Sequence, residues 1–202
     1  MKKLTLLFSF VTLLVLAGCT KPLELPPEDA DFHFKQYQRV TISANRPPWT
    51  TTGIVLKEGD QVLVLASGKA SYCIPMKGQR DCDPEWRNQP PVGKNRLTMT
   101  IGGSKQRRVF RGLLSVRNAA GDDGYVDSFE TVYGGELKMA FCDWSDCSHP
   151  DYYDNNQGGF LVDVFVYDPG QKEGFKRFLR AMIKKNPEDS MFIAQAQELL
   201  KY

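Results

Sequence analysis

The sequence predicts an antiparallel β-sandwich followed by a C-terminal helical appendage. Three observations carry that prediction. Between residues 39 and 167 short alternating apolar segments recur, separated by clusters of Gly, Pro, Asn and Asp. No stretch of that span shows a clear helical period. Beyond it, Phe175, Phe178, Leu179 and Met182 fall at i, i+3, i+4 and i+7, the stripe of an amphipathic helix.

The chain opens with Lys2 and Lys3 and an apolar run from Leu4 to Leu16. That run is shorter than the roughly 20 residues needed to span a bilayer and has the layout of an export signal. It ends in Leu16, Ala17, Gly18 and Cys19, which resembles a bacterial lipobox. The resemblance makes residues 1–18 a signal peptide and Cys19 the lipidated first residue of the mature chain. Thr20 in place of Asp after that Cys implies the cell outer membrane. Residues 19–34 are expected to form a tether, because residues 20–30 are rich in Pro and acidic side chains. Removing residues 1–18 takes away two lysines and leaves 24 basic against 24 acidic residues. A neutral mature chain has no basic field to attract nucleic acid, so none is expected as a partner.

The sandwich is expected over residues 35–169. Val40 and Ile42 mark a short strand at 39–44. Residues 49–57 and the strongly apolar 61–66, QVLVLA, read as a hairpin about Glu58, Gly59 and Asp60, with Gly68 ending the second strand. Residues 71–93 carry four prolines and read as a long loop, functional or pinned by disulfides. Leu97, Met99 and Ile101 share one face of a strand at 96–101, and Gly102 with Gly103 turns it. One or two short strands fit 108–116, and 118–124 is a turn-rich loop. Leu137, Met139 and Phe141 share a face at 135–141. The last strand, 159–167, is apolar on both faces, so it should lie in the centre of the sandwich or be covered on both sides.

The tail, residues 170–202, should hold two helices. Asn186, Pro187, Glu188 and Asp189 read as the start of the second: a cap, Pro at the first position and acids in the first turn. The first helix is basic opposite its apolar stripe. That stripe is expected to pack on the sandwich, with an anionic membrane surface or a protein partner as the alternative uses of the helix.

Cysteine usage and one polar loop bear on function. Setting Cys19 aside, Cys73, Cys82, Cys142 and Cys147 remain, an even number that implies two disulfides in an exported protein. Short loops favour Cys73 with Cys82 and Cys142 with Cys147, and cross-pairing is open. The stretch 141–167 crowds Asp143, Asp154, Asn155 and Asn156 into one loop before the last strand. A hard cation takes about 6–8 oxygens from such carboxylates, amides and backbone carbonyls. Asp/Asn-rich loops also arise simply as turns.

Four pieces of sequence add to this reading: WTTTGIVLKEGDQVLVLASGKASY, LTMTIGG, GELKMAFCD and NNQGGFLVDVFV, in that order. Together they resemble the calcium-dependent galactose-binding bacterial lectins of the LecA (PA-I) type, over about residues 49–168. The resemblance implies a galactose-binding-domain-like jelly roll. It implies calcium held by carbonyls of Tyr72 and of a residue near Tyr152, and by side-chain oxygens of Asp143, Asn155 and Asn156. Sugar hydroxyls would bind the ion directly, with Asp143 and Asn155 also contacting the sugar. Trp86 and Gln89 stand where that family places its sugar-contacting His and Gln, and Trp144 is a further stacking candidate. The segment 143–155 is longer than in the family. The insert 144–154, with its own Cys147, is not explained by the pattern.

Catalysis finds little support. The two histidines, His33 and His149, lie a domain apart, which disfavours a Ser/His/Asp arrangement. Asp122, Asp123, Asp127 and Glu130 cluster, yet in a Gly-rich loop they read as a solvated turn. The expectation is a non-enzymatic, lipid-anchored envelope protein that binds a galactose-like carbohydrate through calcium. The alternative is a structural or assembly lipoprotein that meets envelope proteins through the sandwich and the C-terminal helices.

Overall fold

The computed structural model describes residues 23–27, 32–45, 49–72, 85–87, 96–102, 107–109, 125–142, 153 and 156–201. Its strands are β1 (Gln36–Ser43), β2 (Thr50–Leu56), β3 (Gln61–Tyr72), β4 (Glu85–Arg87), β5 (Arg96–Ile101), β6 (Arg107–Val109), β7 (Tyr125–Glu130), β8 (Gly135–Cys142) and β9 (Gln157–Tyr167). Two helices follow, α1 (Lys172–Lys185) and α2 (Ser190–Leu199). The strands form two antiparallel sheets. One runs β1-β9-β3-β4, with β7 also on β3; the other runs β2-β8-β5-β6. The predicted class, an antiparallel β-sandwich with a helical appendage, is the observed one.

Period-two alternation fills the space between the sheets. Ile54, Leu56, Leu137, Met139, Leu97 and Met99 come from one sheet, and Val62, Val64, Val162 and Val164 from the other; each is fully buried. The second faces of β3 and β9 are apolar too. Leu63, Leu65, Phe165 and Tyr167 meet Phe175, Phe178, Leu179 and Met182 of α1 and Phe192 and Ala196 of α2. β9 is therefore covered on both sides, as its sequence predicts, and the helical stripe packs on the sheet. Leu23 and Phe32, within the expected tether, are buried in this second cluster.

Several boundaries differ from expectation. β2 and β3 are not a hairpin: β2 pairs with β8 and β3 with β9, in opposite sheets. Both strands carry an inward apolar face, and those faces pack across the core instead of pairing edge to edge. Their turn is pinned to the β7–β8 connection, where Gly59 N donates to Thr131 O (2.8 Å) and Thr131 N to Asp60 O (2.9 Å). The Asp60 carboxylate accepts from Lys57 N at 2.8 Å, and Lys35 Nζ bonds it at 2.8 Å and Asp168 at 2.6 Å. These carboxylates, Asp168 first, raise the Lys35 pKa.

β3 does not stop at Gly68 but runs on to Tyr72, because β9 continues opposite it: Gly68 faces Phe160 and Ser71 faces Gln157. β9 correspondingly begins at Gln157, before Gly159. Ladder pairing outweighs glycine's weak strand preference here. β4 lies inside the expected long loop; three residues are too few to show a period. β7 was read as part of a solvated acidic turn. As a strand it places positions 127 and 130 on opposite faces. Glu130 accepts from Gln61 Nε2 at 3.0 Å.

The second helix starts later than expected. Asn186 N is still bonded to Met182 O and Ile183 O, so Asn186 closes α1. Asp189 is the true N-cap, its carboxylate accepting from Phe192 N at 2.9 Å.

Candidate functional site at one end of the sandwich

Strand register brings three chain segments to one end of the molecule. β3 ends at Tyr72, one residue past Ser71, which pairs with Gln157 at the start of β9. β8 ends in the opposite sheet at Cys142, opposite Arg96 of β5. The sheets are tied there by Phe141 and Phe160, buried rings with centroids 5.8 Å apart. The last residue of β8, Asn156 just before β9 and the last residue of β3 thus share one end.

Asn156 is the described centre of that end. It is 3% exposed and immediately precedes β9. Its backbone N donates to Tyr153 O at 3.1 Å, and Tyr153 itself is fully buried. Its side-chain Nδ2 donates to the carbonyl of Ala44 at 3.0 Å. Ala44 N in turn donates to Gly158 O at 3.0 Å, so the residue just past β1 clamps both sides of Asn156. The clamp settles which way the amide points: nitrogen to Ala44, oxygen away from it. Asn156 Oδ1 is buried and has no hydrogen-bond partner among the described residues.

Two glycines let the backbone make this turn. Gly158 has φ of 77°, in the left-handed region that side chains resist. A Cβ on Gly159 would lie 2.3 Å from Ile42 O, so only glycine lets β9 pass β1 there.

Of the residues the sequence nominates, Tyr72 closes β3 opposite Glu85, and Trp86 lies in β4 opposite Ser71. Both positions are at the Asn156 end. Asp143 directly follows the last residue of β8 and lies outside the described residues, as do Gln89, Trp144, Tyr152 and Asn155. Cys142 ends β8; Cys19, Cys73, Cys82 and Cys147 lie outside the described residues, so the expected disulfides do too. Ala44 and Tyr153 were not nominated. Ala44 has no side-chain chemistry to announce it, and Tyr153 sits in a polar loop that reads as surface. Among the described residues no group of three or more His, Cys, Asp or Glu is placed to hold a metal ion.

Two other polar features lie elsewhere. Arg39 grips Asp163 bidentately, Nε to Oδ1 at 2.7 Å and Nη2 to Oδ2 at 3.0 Å, and Tyr37 donates to Asp163 at 2.8 Å. Burial, then this bond, pushes the Tyr37 phenol up to about 12. The third contact of Arg39 is Leu23 O at 3.1 Å, so the cluster fastens the N-terminal segment to the sheet. A cavity of about 260 Å³ lies between Tyr167, Phe175, Lys172 and Leu199 at the opposite end of β3 and β9.

No family model matches the chain, and no curated protein does. Among solved structures, the chain is similar to the EclA N-terminal domain, described as a PllA-like lectin, at 22% identity and a TM-score of 0.39, covering 64% of this chain and 95% of that one. It is also similar to the VP2 subviral particle of infectious bursal disease virus, at 10% identity and a TM-score of 0.25, covering 76% of this chain and 40% of that one.

Proposed function

We propose that this protein is a lipid-anchored envelope protein whose β-sandwich binds carbohydrate through a calcium ion held at the Asn156 end. One observation carries the reading: the buried Oδ1 of Asn156, unpartnered among the described residues, with the amide nitrogen locked on Ala44. Leaving a buried acceptor unpaired costs about 1–3 kcal/mol, and such a group asks for an ion or a water. A neutral amide oxygen is the donor type a hard cation accepts, so the residue fits calcium. Supporting it, Tyr72, Cys142 just before Asp143 and Asn156 just after Asn155 lie at the same end, in the order the resemblance to the LecA-type lectins requires.

In this proposal Asn156 and Asn155 give side-chain amide oxygens, Asp143 a carboxylate, and Tyr72 and the region of Tyr152 carbonyls. The bound ion supplies coordination positions that vicinal sugar hydroxyls take from water. Asp143 and Asn155 orient those hydroxyls by hydrogen bonds, and Trp86, Gln89 and Trp144 border the sugar. No catalytic group is invoked; the act is recognition. Cys19 carries the lipid, and the outer membrane is the compartment.

The test is isothermal titration with calcium and then with galactosides, on the wild type and on Asn155→Ala/Asn156→Ala. Sugar heat that requires calcium and disappears in the double variant is the expected result. Sugar binding that survives chelation, or no calcium heat from the wild type, rejects the proposal.

A further inference from the structure

The basic side of α1 has no work inside the fold. Phe175, Phe178, Leu179 and Met182 are spent on the sheet, so the helix has no apolar face left for a bilayer or a groove. Flanking them, Lys172, Lys176, Arg180 and Lys184 recur every fourth residue, a cationic row about 18 Å long at the ordinary helical rise, whose first two members border the cavity beside Phe175. Lys172, Arg180 and Lys184 are exposed and Lys176 is half-buried. None of the four has a carboxylate partner among the described residues. Like charges one turn apart destabilise a helix, and Lys172 and its neighbours also oppose the positive end of the helix dipole. An anionic surface laid along the row relieves both.

The path of the N-terminal chain says which surface. Glu24 N donates to Asn186 Oδ1 at 2.8 Å, and Asn186 Nδ2 donates to Glu24 O at 2.9 Å. Asn186 is the residue that closes α1. Arg39 holds Leu23 O, and Leu23 is buried. Glu24 therefore sits at the C-terminal end of α1, whose last turn holds Lys184 and Lys185. Five residues separate Glu24 from Cys19, a reach of at most about 18 Å. A lipid on Cys19 cannot take the membrane far from this row.

We infer that the Lys172–Lys176–Arg180–Lys184 face of α1 rests on anionic phospholipid headgroups, giving the anchor a second, electrostatic contact and fixing the orientation of the sandwich on the bilayer. This rests on the lipid-anchor part of the proposal above. The lipid holds the chain to the bilayer at one point, and a basic row beside it adds an electrostatic contact that sets the orientation. Binding is by charge and not by insertion, because the apolar face is already buried.

The test separates surface from anchor. The mature chain, residues 19–202, carrying Cys19→Ala is mixed with vesicles of phosphatidylcholine alone or with phosphatidylglycerol, at about 0.1 M and about 1 M salt, where the screening length falls from about 10 Å to about 3 Å. Binding is expected only to phosphatidylglycerol vesicles and only at the lower salt. Lys176→Gln/Arg180→Gln/Lys184→Gln is expected to weaken it on the order of a hundredfold. A circular dichroism melt confirms that this variant folds; if it does not, Arg180→Gln/Lys184→Gln, both fully at the surface, replaces it. Equal binding to both vesicles, salt-insensitive binding, or an unaffected variant overturns the inference. Mass spectrometry of the wild type for an acylated Cys19 judges the anchor itself, whichever way the vesicles answer.

Discussion

Replacing Asn156 by Leu tests the ion site without needing a sugar. Leu has a similar volume and removes both ends of the amide. Losing Nδ2 leaves the carbonyl of Ala44, a fully buried residue, without its 3.0 Å donor. Losing Oδ1 removes an acceptor that is buried and unpaired among the described residues. Each unsatisfied group costs about 1–3 kcal/mol, so one penalty replaces the other and the variant should lie within about 1 kcal/mol of wild type in chelator. Calcium breaks the tie. An ion that binds only the folded state adds about 2.7 kcal/mol at a hundred times its dissociation constant. For a chain of this size each kcal/mol is worth about 2–4 °C in Tm, so wild type should gain about 5–11 °C on adding calcium. Differential scanning fluorimetry in chelator and in calcium reads both comparisons. A wild type that ignores calcium, or a variant that gains as much from it, refutes the reasoning.

Three other outcomes follow from the same structure. Arg39→Met leaves Asp163, whose side chain is 4% exposed, without its cation, and should lower urea stability by about 3 kcal/mol; adding Asp163→Leu should restore it to within about 1 kcal/mol. Burial pushes the Tyr167 phenol up to about 12 from its usual 10, so the folded state holds that proton when the unfolded chain has lost it. The resulting stability is complete below pH 10 and drains away between 10 and 12, by about 2–3 kcal/mol for this ring, and Tyr167→Phe should flatten the urea-midpoint profile over that window. Gly159→Ala drives a Cβ to 2.3 Å from Ile42 O and should cost about 3 kcal/mol or more, with hydrogen exchange quickening first in β1.

The fold was legible where one strong period acts alone. Val62, Val64 and Ala66 alternate with Leu63 and Leu65, and the α1 stripe repeats at helical spacing; both patterns survive folding intact. What escaped was decided by partners. Gly68 looks like a strand end, and Phe160 across the ladder makes it a strand interior. The Lys57–Asp60 turn reads as a hairpin, yet nothing local says that Thr131 will hold it open so that β2 and β3 join different sheets. Asn186 reads as the cap of α2, but its side chain is taken by Glu24 and the cap passes to Asp189. At the candidate site, Asn156 was nominated through a resemblance. The lock that aims its oxygen is a backbone carbonyl at Ala44, 112 positions away in the chain, which has no residue type to signal it.

The two faces of β3 and β9 also decide how the alternative role, a protein contact through the C-terminal helices, can be examined. Deleting residues 170–202 is the obvious experiment, and the structure argues against it. Leu63, Leu65, Phe165 and Tyr167 are all at most 4% exposed, and the helices cover them together with Phe32 and Phe34 of the N-terminal segment. Burying four such side chains is worth at most about 6–12 kcal/mol, comparable with the whole net stability of an ordinary domain. A truncated chain would either unfold or present a large apolar sheet, and in both cases would capture proteins unspecifically. It would also strip the support from the two strands whose far ends carry Tyr72 and Asn156, so calcium response would be lost for a reason unrelated to ligands. Surface changes on α1, such as Arg180→Gln/Lys184→Gln, leave the buried stripe untouched. A partner lost with those charges while the calcium response persists belongs to the helix; a ligand lost with Asn156→Leu while vesicle binding persists belongs to the sandwich end.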